Sequence, residues 1–147
     1  MRPVSCTHAL DESGDCWRAC VATILGLSAP EVPHFVHLDE QGGGDWIDLT
    51  RTWLNGRCLG LVVRHCNSSD WSLDDVLLYW SAENPGTPII VSGEAGDDPS
   101  DNHAVVVLNG RIAHDPSGIG LAGPMVNNEK DADRFWRISI ITLGADR

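Results

Sequence analysis

The sequence has almost no lysine. Of its 10 basic residues only Lys130 is one, and 21 acidic residues bring the net charge to -11. The arginine excess reads as a coding bias. No run of Lys and Arg occurs anywhere. Nucleic-acid backbones and anionic membrane surfaces repel such a chain overall, so neither is expected as a partner. No apolar run approaches the 18 or so residues that a membrane helix needs. The first residues, Met1 to Cys6, carry no apolar leader segment, so a cytoplasmic protein is expected. Repeats, linkers and low-complexity tracts are missing. The 5 cysteines (Cys6, Cys16, Cys20, Cys58 and Cys66) form an odd set. Without a leader, that argues against a disulfide framework and for free thiols, one of them reactive.

What is present is enough for a core. The 147 residues are 42% hydrophobic and include 6 Trp, which excludes a disordered chain and fits one domain over 1–147. Residues 16–25 have no breaker and end at Gly26, which predicts a helix with a glycine stop, capped by Ser13 or Asp15. Its apolar surface runs nearly all round, as in a buried central helix. Ser28-Ala29-Pro30-Glu31 has the pattern of a short capped helical start. Asp45 caps a helix over 46–54, and Ser72 opens another that runs to about Trp80. Strands are predicted over 59–63, 88–91, 103–108, 111–115 and 135–143, with a Gly/Asp-rich loop at 93–102. Helices first and antiparallel strands later make the expected class α+β.

Three groups stand out chemically. Cys16 lies at a helix N-terminus, where backbone N–H groups and the dipole are expected to lower its pKa. His103 heads a strand, and Asp115 precedes Pro116 at the end of the partner strand. Thiol, imidazole and carboxylate make a nucleophile, a base and an orienting group. The turn between the strands decides whether the last two meet. A two-residue turn at Asn109-Gly110 pairs Leu108 with Arg111 and leaves His114, not Asp115, on the face of His103. A three-residue loop with Gly110 in a left-handed bulge position pairs Val107 with Arg111 instead. His103 then lies opposite Asp115, with Cβ atoms about 5 Å apart. The functional reading predicts the bulged turn.

Gly14-Asp15-Cys16-Trp17-Arg18-Ala19-Cys20, His103-Ala104-Val105-Val106-Val107 and His114-Asp115-Pro116 together resemble the motifs of papain-like cysteine peptidases. The likeness is greatest to bacteriocin-leader-processing peptidase domains and to small papain-like proteins of bacteria and phages. The resemblance covers most of the chain through three short motifs. It implies a papain-like fold, with a central N-terminal helix carrying the Cys packed on an antiparallel sheet. It implies a thiol hydrolase or acyltransferase that attacks a peptide, amide or isopeptide bond, needs no cofactor or metal, and takes a peptide or protein substrate. Cys16 would be the nucleophile, His103 the base and Asp115 the orienting group. Two positions depart from the family. Trp17 stands where the family has Gly. No Gln precedes the nucleophile to complete an oxyanion hole, and Thr7 or His8 occupies that neighbourhood. Loss of one such donor costs other enzymes about 10²–10³ in rate.

Blander readings compete. Cys20, one turn along the helix, reads as a small core residue. Cys16, Cys20, His34 and His37 could be read as a zinc site, but cysteines on a helix have the wrong setting. His34 and His37 read as surface or cap histidines, and His65-Cys66 as a strand-end pair. His114 exchanges roles with His103 if the turn is tight. The tryptophans are mostly core, although Trp17 is a candidate for lining the substrate cleft. Asp97, Asp98 and Asp101 would favour cationic substrates if their loop borders the site. A catalytically silent papain-like domain that binds a peptide or protein is the rival to the enzyme.

Overall fold

The computed structural model describes residues 1, 3–5, 15–95, 102–126 and 134–144. Helix α1 spans Asp15–Leu25, so it opens on an acid that suits the positive end of the helix dipole. It ends as expected at Gly26, whose φ of 70° is the left-handed stop. The amides of Gly26 and Leu27 fold back onto the carbonyls of Thr23 and Ala22, closing the helix end. Arg18 then ties the next segment down. Its Nε donates to the Ala29 and Val32 carbonyls at 2.8 and 2.7 Å, fixing the 3-10 turn Ala29–Glu31 against α1.

Helix α2, Phe35–Glu40, is an element the sequence pattern did not announce. His34 caps it, with Nδ1 accepting the His37 amide at 3.3 Å. Helix α3, Trp46–Asn55, starts where Asp45 predicts, with the Asp45 carboxylate accepting the amides of Ile47 and Asp48. Helix α4, Leu73–Glu83, opens on a reciprocal Ser72–Asp75 capping box and outruns its expected end at Trp80.

The class is α+β, with one antiparallel sheet. Among the described residues the sheet has seven strands. Its main path runs β1 (Leu59–Asn67), β7 (Arg134–Leu143), β2 (Ile89–Ala95), β3 (Asn102–Leu108) and β4 (Arg111–His114). Short β5 (Leu121–Gly123) pairs with β2, and β6 (Met125–Val126) with β7. Of the loop expected at 93–102, β2 takes in the part up to Ala95 and β3 begins at Asn102, and 96–101 lie outside the described residues.

Helices cover both faces of the sheet. Ile90, Ala104 and Val106 pack with Trp17, Val21, Phe35 and Leu54 from α1, α2 and α3. Ile89, Val91, Val105 and Val107 face the other way, onto Val76 and Leu77 of α4 and onto Trp136 and Ile138. This explains the unbroken apolar runs of β2 and β3. An antiparallel strand alternates polar and apolar only when one face meets water. No helix among the described residues is long and apolar enough to cross a membrane.

Gly93 pairs with His103 across β2 and β3. A Cβ there would lie 2.5 Å from the Gly123 carbonyl oxygen and 2.8 Å from the Trp136 ring. Neither backbone of β5 nor a buried indole gives way cheaply. Gly93→Ala is expected to cost about 2 kcal/mol through overpacking, read as a lower denaturant midpoint with unchanged slope.

Candidate functional site

The hairpin corrects the expected turn. Asn109 and Gly110 have φ of 51° and 83°, and Leu108 pairs with Arg111, so the turn has two residues. Positive φ at both central positions matches the right-handed twist of the flanking strands, which is why Asn-Gly is favoured there. The bulge expected at the turn lies farther along. Val107 pairs with Ile112 but Val106 pairs with His114, so Ala113 is the extra residue. One inserted residue reverses which side chains share a face. Beyond the bulge Asp115 is on the face of His103, and His114 is on the other.

His103 is 3% exposed, and its Nε2 lies 2.6 Å from Asp115 Oδ1. An ionised carboxylate only accepts, so Nε2 carries the proton and Nδ1 keeps the lone pair in the neutral ring. Asp115 is itself held by backbone. Oδ1 accepts the amides of Ser117 and Gly118 at 3.2 and 3.1 Å, and Oδ2 accepts that of Gly120 at 2.7 Å. Desolvation works to raise the Asp115 pKa, but the His103 bond and the Gly120 and Gly118 amides outweigh it and hold the carboxyl below its ordinary value. The Ser117 hydroxyl stands 3.2 Å from His103 Nε2. The sequence reading passed over Ser117, Gly118 and Gly120. Their signal was present in the turn-forming run Asp115-Pro116-Ser117-Gly118, an Asx-type turn in which a side chain caps its own backbone.

Cys16 is partly exposed in the first turn of α1. Its thiol receives the backbone amide of Ala104, in the peptide unit that joins His103 to Ala104, and also the amides of Trp17 and Cys16. These donors favour the thiolate, as a helix N-terminus should. Burial nevertheless dominates, and with a smaller contribution from the Asp15 charge it pushes the thiol up to about 11. The expected lowered pKa is thereby overturned. Loss of water costs the anion more than the three backbone amides return.

The structure brings His103 and Asp115 into direct contact and brings Cys16 to the adjoining peptide unit. Trp17 is a core residue, 3% exposed, rather than a side chain free to line a cleft. Its indole donates to Thr50 Oγ1 at 3.0 Å and meets Trp46 edge-on at 4.9 Å. A slot between α1 and α3 thus accommodates the large ring. His114 is taken up elsewhere, with Nε2 donating to the Val4 carbonyl at 2.6 Å. Cys20 is fully buried in the core. Among the described residues no three His, Cys, Asp or Glu side chains converge as metal ligands, so Cys16, Cys20, His34 and His37 do not form the zinc cluster considered above. The oxyanion candidates Thr7 and His8, and the acids Asp97, Asp98 and Asp101, lie outside the described residues. Comparison of the chain with protein-family models, curated proteins and solved structures finds no match.

Three outcomes are expected. Cys16 should alkylate with iodoacetamide slowly at pH 7 and ever faster toward pH 11, while exposed Cys58 labels ahead of it, as peptide mapping would show. Its raised pKa stabilises the fold below pH 9.0, and this contribution is lost as pH climbs to about 11, because the unfolded chain releases that proton first. Asp115 has the opposite sign. Its contribution is present above the ordinary value of 3.8 and is lost as pH falls through its lower folded value. Asp115→Ala, which orphans three amides and the imidazole, should cost about 2 kcal/mol at pH 7 and progressively less as pH falls through the lowered folded value.

Proposed function

We propose that the chain is a papain-like thiol hydrolase or acyltransferase that attacks a peptide, amide or isopeptide carbonyl. The reading rests above all on the His103–Asp115 pair at 2.6 Å, in which a backbone-cradled carboxylate fixes the imidazole with Nδ1 as its basic nitrogen. The Cys16 thiol, held at the His103–Ala104 peptide unit, supports the same reading. So does the order of a cysteine-bearing helix packed on an antiparallel sheet followed by the strands bearing His and Asp.

The resting thiol is neutral. Its proton passes to His103 Nδ1 as sulfur attacks the carbonyl carbon, a transfer that requires the thiol and the ring to close on substrate binding, since among the described residues no hydrogen bond joins them. Asp115 stabilises the imidazolium that forms. The backbone N–H of Cys16 supplies one donor to the developing oxyanion, with Thr7 or His8 as the second. Collapse of the tetrahedral species breaks the C–N bond. The imidazolium returns its proton to the leaving amine, and a thioester remains on Cys16. Water then gives a hydrolase, and a second amine gives a transferase. The raised thiol pKa also favours the rival reading, a domain of the same shape that binds a peptide without cleaving it.

A screen over peptide, isopeptide and simple amide substrates tests the proposal. Turnover should disappear in Cys16→Ala and fall by about 10²–10⁴ in His103→Ala. Asp115→Asn should slow the reaction and also lower stability at neutral pH, because its NH2 group meets a backbone N–H or the imidazole N–H where the carboxylate accepted one. No turnover from the wild type, together with equal peptide binding by wild type and Cys16→Ala, establishes the binding domain instead.

A further inference from the structure

The sheet register draws a line of residues away from the thiol. Ala104 of β3 pairs with Ser92 of β2, Ser92 pairs with Arg137 of β7, and Arg137 pairs with His65 of β1. Strands lie about 4.8 Å apart, so Arg137 stands two strand spacings, about 10 Å, from the peptide unit that holds Cys16. A second connection reaches the same place. Trp46 touches Trp17, the neighbour of Cys16, and its ring also carries the Arg137 guanidinium at 5.0 Å.

Arg137 is half-buried. Nε donates to His65 Nε2 at 3.4 Å, and the Phe135 ring, itself packed on His65, lies 5.9 Å from the guanidinium. Burial lowers its pKa and the Asp45 charge works to restore it, so the cation is only partly compensated. No carboxylate forms a hydrogen-bonded pair with it among the described residues. An arginine whose guanidinium lies over the Trp46 ring, with no terminal nitrogen in a hydrogen bond among the described residues, is preorganised for a planar anion. In a chain of net charge -11, this cation beside the candidate nucleophile is conspicuous.

We propose that Arg137 is a specificity-determining residue that binds a carboxylate on the substrate, within two or three residues of the bond under attack. The spacing follows from the separation of about 10 Å and a reach of about 3.3 Å per extended residue, with the acidic side chain covering the remainder. The substrate class is therefore an acidic peptide. This inference rests on the proposed function, since it takes Cys16 as the reacting group.

The test uses two affinity labels that differ by one charge, iodoacetyl-Ala-Glu-amide and iodoacetyl-Ala-Gln-amide. In each the thiolate sulfur displaces iodide from the CH₂ carbon, so no turnover is needed. The Glu:Gln labelling ratio at Cys16, divided by that at exposed Cys58, should be about tenfold in the wild type, as suits one charge-assisted contact. Arg137→Gln should bring it to parity and Arg137→Lys should retain part of it. In parallel, acetyl-Ala-Glu-amide and its Gln counterpart are titrated against the Trp46 indole N–H resonance, which reads Arg137 without the thiol. The Glu peptide should give a saturating shift in the wild type that Arg137→Gln abolishes and Arg137→Lys keeps in part. Equal responses to the two peptides, or a Glu preference that survives Arg137→Gln, overturns the inference. Should Cys16 fail to label while the Trp46 response discriminates, the thiol enzyme fails and the carboxylate site stands. Should labelling depend on His103 but not on the acidic group, the converse holds.

Discussion

One extra residue in β4 determines what the site is. With Leu108 opposite Arg111 and a regular ladder, His103 would share its face with His114, and Asp115 would point away. Ala113 breaks the ladder after two pairs and turns Asp115 toward the imidazole. The tight Asn109-Gly110 turn and the bulge are separate solutions to separate demands. The turn satisfies the strand twist, and the bulge satisfies the chemistry at the far end of the hairpin. The Asp115 turn then makes the carboxylate part of the backbone's hydrogen bonding, so the imidazole is held by a group that cannot itself swing away.

The same strand links the site to the core. β3 is apolar on both faces, with Val105 and Val107 facing α4 and Ala104 and Val106 facing α1. A strand gripped from two sides has little freedom to shift along its axis, and His103 is its first buried residue. The small Ala104 allows the first turn of α1 to approach the backbone closely enough for its amide to reach the Cys16 thiol. That approach has a cost, because the sulfur loses water as it gains amides. The thiol is therefore well positioned and poorly ionised.

Much of this was legible in the sequence, for reasons that differ from element to element. The end of α1 and the starts of α3 and α4 were readable because Gly26, Asp45 and Ser72 act locally. The hairpin was readable because Asn-Gly has few alternatives. The position of the bulge was not, since parity along a strand is set by what the far end packs against. The strand expected over 59–63 stops where apolar residues stop, but the real β1 runs on to Asn67, because pairing with β7 and not side-chain character sustains it. The α2 helix is too short to show a period, and only its histidine cap was foreseen. Trp17 was placed by sequence adjacency to Cys16, whereas α3 supplies the slot that buries it. Arg137 gave no signal, because its neighbours come from strands and a helix far apart in the chain.

The desolvation of the Cys16 thiol also bears on how such a protein ages. Oxidants react with thiolates and hardly at all with thiols. A sulfur kept protonated by its surroundings is chemically quiet, and between encounters with a ligand it is spared the slow conversion to sulfenic and sulfinic acids that erodes more acidic cysteines. Exposed Cys58 has no such shelter. The desolvation that makes the thiol reluctant to react thus also acts as its preservative.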